Sequence, residues 1–192
     1  FRERYGVDSL GLTNCVAQSE YIATRFGQVA LLDDFTAIER MTDKFDLVTV
    51  IGMSEHVVGR LKDKLLQNIH ARLRDGGVLY LQTIAKPDQW IGGDAYRLVQ
   101  EFVFPGHDLD TQAEMETRFA KAGFKIVHVE DHAMDYAFTT GEWAKNVTAN
   151  FSRLKALIGL KNANLFLMYL LYASKLFKNG RGKLMRYSLV KA

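Results

Sequence analysis

Hydrophobic and polar positions follow two periods along this chain, and the two take turns. Residues 8–13, 29–33 (VALLD), 45–52 (FDLVTVIG), 78–84 (VLYLQTI), 125–130 and 184–191 read as strands. Segment 45–52 is apolar and β-branched, as suits a parallel strand covered on both faces. Elsewhere the period lengthens. Leu65, Leu66, Ile69 and Leu73 share one stripe of a helix over 63–73, which Asp75-Gly76-Gly77 ends. A second helix over 113–122 is closed by Gly123, and two more follow near 141–158 and 162–178. Residues 1–6 (FRERYG) read as the last turn of a helix, with Gly6 just past its end.

Strands and helices alternating at this spacing predict βαβ units: an α/β fold on a mostly parallel, doubly wound sheet. Such sheets take ligands outside the carboxyl ends of their strands, so the residues after each strand are the candidates for chemistry. Thr13, Asn14, Cys15 and Gln18 follow the first strand; small polar groups there suit a ribose or a helix N-cap. Asp33-Asp34 follows the second, where an acid can receive a nucleoside's donors or simply shape a turn. Gly52-Met53-Ser54-Glu55-His56 is the densest constellation. A glycine ending a buried strand lets a ligand approach the backbone, and Glu55 then stands at the mouth of the sheet. A helix-start Glu beside a packed His is the plainer account of the same residues. The chain has no phosphate-cradling glycine loop, no GxSxG elbow and no zinc-ligand spacing, so no metal is expected.

The 192 residues suffice for one domain, and 48% hydrophobic content suffices for a core. One cysteine, Cys15, excludes an internal disulfide framework and fits a reducing, cytoplasmic setting. Charge adds an asymmetry. Residues 151–192 carry nine Lys or Arg and no acid, while residues 1–150 carry sixteen basic and twenty-two acidic residues. A basic tail on an acidic body suits an anionic partner, a phospholipid surface or a nucleic acid, or is only a solvated helical face. Leu165, Phe166, Met168, Tyr169, Leu170 and Tyr172 supply apolar surface in that tail, in a run too short to span a bilayer.

Several strings, in order, resemble the S-adenosylmethionine-dependent cyclopropane fatty acid synthases, which include the mycolic acid cyclopropane synthases. Residues 11–18 (GLTNCVAQ) are similar to that family's GVTLSxxQ. Residues 45–57 (FDLVTVIGMSEHV) are similar to its FDRIVSVGMFEHVG, and 73–84 (LRDGGVLYLQTI) to its LKPGGxxxLHTI. Residues 102–106 (FVFPG) resemble YIFPGG, and 135–143 resemble HYxxTLxxW. The resemblance implies a Rossmann-like class I methyltransferase sheet with an antiparallel last strand and a helical lid, about 141–180, inserted before it. It implies one domain over 1–192, lacking the family's first strand, glycine-rich loop and N-terminal cysteine. The chain is thus expected to be a fragment, and poorly stable by itself because a central strand would leave ladder groups unpaired.

By the same resemblance the cofactor is S-adenosylmethionine, contacted by Thr13, Asn14, Cys15, Gln18, Asp34, Phe35, Gly52 and Met53. The reaction is methylene addition across the double bond of a phospholipid acyl chain. A bound bicarbonate accepts the proton, held by Glu55, Gln82, Ile84 and Tyr136. The partner is then a membrane surface and not a nucleic acid, the protein lies peripherally on the inner face of the membrane, and a homodimer is allowed. Gln82 departs from the family, which has histidine there; fungal sphingolipid methyltransferases resemble this chain at that strand and at FPGHD. Methyl branching without ring closure is therefore an alternative, as are a small-molecule N-methyltransferase and an inactive lipid-surface-binding relative.

Overall fold

A computed structural model describes residues 2–89 and 93–192, in two compact units, 1–43 and 44–192; Phe1 of the expected first helical turn lies outside the described residues. In the first unit, helix α1 (Arg2–Tyr5) precedes strand β1 (Gly11–Thr13), helix α2 (Val16–Phe26), strand β2 (Ala30–Leu32) and a 3-10 turn (Phe35–Arg40). The two strands pair in parallel, Leu12 opposite Leu31. Helix α2 was not legible in the sequence: none of its residues is buried, so no apolar stripe marks it.

The second unit holds a four-stranded mixed sheet. Strands β3 (Phe45–Ile51), β4 (Leu73–Ala85), β5 (Phe124–Asp131) and β6 (Lys183–Lys191) stand in the order β3-β4-β6-β5. Strand β3 runs parallel to β4, and β6 is antiparallel to both β4 and β5, as expected of the last strand. Helix α3 (Arg60–Arg72) stops before the diglycine, which lies inside β4 as an irregularity: Phe45 pairs with Leu73, but Leu47 pairs with Val78. The diglycine thus lengthens a strand instead of ending a helix.

Period-2 alternation in β4 sets the two faces. Leu79, Leu81, Thr83 and Ala85 are buried, and their opposite numbers on β6 include Leu189, Tyr187 and Met185. Leu65, Leu66 and Ile69 of α3 and Met115 and Phe119 of α5 (Gln112–Lys121) are buried too, with the Phe119 and Tyr187 rings 5.0 Å apart. Helix α5 starts with a full capping box, Thr111 and Glu114 each accepting the other's backbone N–H. Beside α4 (Asp94–Phe102) the other helices are α6 (Ala133–Ala149) and α7 (Phe151–Lys178), inserted before the last strand. They pack together through Ala137, Ala173 and Phe177, with Ile84 and Tyr136 against that cluster. Helix α6 begins earlier than the sequence suggested because Asp131 accepts the Ala133 N–H at 2.9 Å and opens the helix there.

Candidate functional site

Strand β3 ends at Ile51, and the chain reverses at Gly52 with φ 60°, a left-handed conformation that favours glycine. The Gly52 N–H donates to the Gln82 carbonyl at 3.0 Å, tying this turn to β4. A single 3-10 turn (Ser54–His56) comes next and carries Glu55 into the protein, where only 7% of it is exposed. There Thr83 Oγ1 donates to Glu55 Oε2 at 2.9 Å. The carboxylate thus has a buried hydroxyl donor from the neighbouring strand, which lowers the cost of holding its charge away from water.

Behind Glu55 the segment after Phe104 is fastened by charge. Asp108 donates its N–H to the Glu55 carbonyl at 2.8 Å and receives the Gly59 N–H on Oδ2 at 3.0 Å. Buried Lys62 donates to the Asp108 carbonyl at 2.6 Å and pairs with Asp110 at 3.1 Å; Arg118 joins Asp110 at 3.2 Å and Asp63 at 2.6 Å. Burial works against the charge of Asp108, yet the Gly59 N–H and Lys62 outweigh it and hold the carboxyl below its ordinary range. A cavity of about 30 Å³ lies among Glu55, Thr83, Lys62, Asp110 and Arg118, room for about one water molecule.

Aromatic rings gather around α6 and α7. Phe104 sits 5.2 Å from Tyr169 and 5.5 Å from His56, and Tyr136 sits 5.0 Å from Phe177 and 6.3 Å from Trp143. Burial, then the Glu55 charge, pushes the Tyr136 phenol up. Burial, then Tyr136 and Glu55, pushes Tyr169 up to about 12. Both therefore stay protonated donors across the physiological range, beside a carboxylate whose field reaches them. A raised phenol keeps its proton in the folded state longer than in the unfolded one. Its stabilising share is whole below about pH 10 and is lost as pH rises toward 12. Thermal midpoints should accordingly fall between pH 10 and pH 12, and Tyr169→Phe should flatten that fall; equal slopes for the two proteins would exclude Tyr169 as its source.

The sequence-derived site is brought together in part. Glu55, Ile84 and Tyr136 share this region. Gln82 and Ile84 leave the face of β4 opposite Thr83, the face on which Ile84 and Tyr136 pack against one cluster, and there the Gln82 amide oxygen accepts from Arg186 Nε at 2.9 Å. Arg186 stands opposite Gln82 on one side and Glu130 on the other, and reaches His132, whose pKa is raised by Asp135 and then Glu130. Thr83, Tyr169, Lys62 and Asp108 were missed as site residues. Each acts through a partner at least 28 positions away, a pairing that local periodicity does not encode.

Of the cofactor candidates, six lie in the first unit. Thr13 Oγ1 donates to Gln18 Oε1 at 2.7 Å and accepts the Cys15 N–H at 3.2 Å, and Cys15 stands at the N-cap of α2 without a side-chain bond. Asn14 lies between them. Asp34 caps the 3-10 turn that opens with Phe35 by accepting the Thr36 N–H at 2.7 Å; the Thr36 hydroxyl, then that N–H, hold its carboxyl below its usual range. Gly52 and Met53 lie in the second unit. An added Cβ at Gly52 would meet only Glu55 Oε1, at 4.0 Å, so its backbone is open to a ligand.

Comparisons with known proteins agree with this architecture. The family model described as mycolic acid cyclopropane synthetase matches residues 2–187. Sphingolipid C9-methyltransferase 2 of Gibberella zeae is 24% identical over 200 residues, covering 98% of this chain and 38% of that enzyme. The cyclopropane synthase MmaA2 of Mycobacterium tuberculosis superposes with a TM-score of 0.92 at 22% identity, over 99% of this chain and 72% of that one. Mycolic acid cyclopropane synthase CmaA1, solved with SAH and CTAB, gives 0.91 at 21% identity over the same shares. Those two likenesses show that the chain shares the fold of those cyclopropane synthases. The chain spans less than half the length of several curated relatives it matches.

Proposed function

The chain belongs to the mycolic acid cyclopropane synthetase family, and from that premise we propose that it carries the catalytic face of an S-adenosylmethionine-dependent lipid methyltransferase acting on the double bond of an acyl chain. The observation that carries this reading is the buried Glu55 carboxylate, bonded by Thr83, at a strand end beside a wall of aromatic rings. Bound S-adenosylmethionine would supply an electrophilic methyl group. Within the second unit, Gly52 and Met53 are the residues we assign to it. The open backbone at Gly52 suits the close approach of such a ligand.

With that cofactor bound, the alkene's π electrons would take the methyl, the methyl–sulfur bond would break with its electron pair going to sulfur to leave S-adenosylhomocysteine, and the adjacent acyl carbon would become a carbocation. Aromatic faces and a buried carboxylate stabilise such positive charge. A proton lost from the added methyl then closes the ring, and the bonding pair left behind forms its third side. We assign the proton to a bound base of bicarbonate type, near the Glu55 carboxylate, the Ile84 backbone and the Tyr136 hydroxyl. Tyr136 is held neutral and can donate to such an anion.

Gln82 favours a second outcome. It cannot titrate, and its amide oxygen is engaged by Arg186. Proton loss from a neighbouring position would leave a methyl branch instead of a ring, which accords with the similarity to a sphingolipid C9-methyltransferase. Lipids from cells making the full-length protein decide the matter. A mass gain of one CH₂ on unsaturated acyl chains is expected, with NMR resolving ring from branch. Lipids of unchanged mass, from a protein shown to bind S-adenosylmethionine, would exclude acyl methylation.

A further inference from the structure

Helix α7 is the odd element of the second unit. A straight helix of its 28 residues would run about 42 Å, and its composition is apolar enough to cross a bilayer. Gly159, at φ 81° and ψ 161°, breaks it into two arms. Buried Ala163, Leu170, Ala173 and Phe177 seat the second arm on the protein. The sequence pointed to residues 165–172 as the apolar surface. Some of these have to face the core, and Leu170 is wholly buried and Tyr169 packs on Phe104, while Phe166 is 40% exposed. At the break, residues 155–162 are all exposed, and they include Leu157 at 73%, Ile158 at 41% and Leu160 at 52%.

Scattered exposed aliphatics are ordinary. Three within four positions, on a bend that a glycine forces outward, are a patch. Its setting is cationic: Arg153, Lys155 and Lys161 flank it, and residues 151–192 contain no acid at all. Lys161 lies over the ring of Phe102, itself 44% exposed on α4, and so joins a fourth large apolar group to the edge of the patch. Apolar side chains at the tip and lysine stems that lift their charges outward are the arrangement of a segment that beds in the boundary between acyl chains and anionic headgroups. We propose that this bend, Leu157, Ile158 and Leu160 with Lys155 and Lys161, is a wedge that docks the protein on an anionic phospholipid bilayer. The inference rests on the lipid-substrate reading of the site, because an acyl chain has to be reached from a membrane surface.

Vesicle flotation of the full-length protein tests it. Binding to phosphatidylglycerol–phosphatidylcholine vesicles is expected, with little binding to phosphatidylcholine alone and a loss on adding salt. Leu157→Asp with Leu160→Asp should weaken that binding by roughly tenfold or more. Lys155→Gln with Lys161→Gln should weaken it less and blunt its salt dependence. Val127→Asp, which changes an exposed aliphatic on β5, should leave it unchanged. The thermal midpoint of the Leu157/Leu160 variant and its turnover on detergent-dispersed lipid should match the parent protein. The proposal is overturned if the parent protein does not bind these vesicles, or if the double Asp variant binds them equally well. A parent dimer that the double Asp variant dissociates, with vesicle binding intact, would assign the patch to a second copy instead. Vesicle binding that depends on Leu157 and Leu160 without any lipid product would keep the wedge and remove the enzymatic reading.

Discussion

Glu55→Gln should lower turnover roughly a hundred- to a thousandfold, the scale of losing one preorganised electrostatic partner of a transition state, while S-adenosylmethionine binds as before. The substitution keeps shape and volume. Thr83 Oγ1 can still donate to the remaining amide oxygen, so the 3-10 turn that carries the residue keeps its anchor. The substitution removes the negative charge whose field reaches Tyr136 and Tyr169. That charge acts when positive charge develops on the acyl chain or a proton leaves it, and it contributes little to the ground-state complex. Turnover and calorimetric binding of the cofactor, measured on one preparation of the full-length protein, separate the two effects. A dissociation constant that rises as far as the rate falls would make Glu55 a cofactor ligand and remove it from the chemistry.

Why Glu55 was legible in the sequence, and Thr83 was not, has a physical reason. A β-branched apolar run announces a buried strand, and the topology of parallel sheets says that its carboxyl end matters. An acid four residues past that strand is visible without any fold. Thr83 looks like one more β-former until strand pairing sets Ile51 opposite Gln82 and brings the end of β3 beside it. Gln82 shows the reverse case. Its place in a motif assigned it to an anion, and pairing with β6 adds a partner that the motif does not show, Arg186, 104 positions along the chain. The lid helices were recognisable as helices from their apolar content. Their limits were not, because Asp131 opens α6, Asn150 separates α6 from α7, and Gly159 divides α7 itself. Sequence period encodes which face of an element is buried, but not which residue of a distant element meets it.

Lys62→Met should cost up to about 3–5 kcal/mol of stability, the scale of removing one partner from a buried ion pair, and no other single substitution at the site or among the surface charges should affect folding as much. Lys62 is 6% exposed, and its ammonium serves the Asp108 carbonyl and the carboxylates of Asp110 and Asp108 together. Methionine fills the space of the stem but leaves Asp110, whose side chain is 11% exposed, to Arg118 alone. An exposed pair gives the scale for comparison. Arg74 and Asp46 are 54% and 84% exposed at their side chains, and Arg74→Ala should cost no more than about 1 kcal/mol. Denaturant unfolding of both variants reads the difference, and a second variant identifies its cause. Adding Asp110→Asn to Lys62→Met removes the stranded charge, so it should recover part of the loss. Acidity offers an independent reading through Asp108. Its carboxyl lies below its ordinary range in the folded state, so its contribution is present above about pH 4 and is lost as pH falls through the folded value. The part of the gap that Asp108 carries should therefore be present from pH 7 to pH 5 and fade in stronger acid. Because Asp108 also holds the Glu55 carbonyl, the variant should lose turnover even at temperatures where it is fully folded. A loss of stability no larger than that of Arg74→Ala would mean that water enters beside Asp110 and solvates it, and that Lys62 does not fix the turn carrying Glu55.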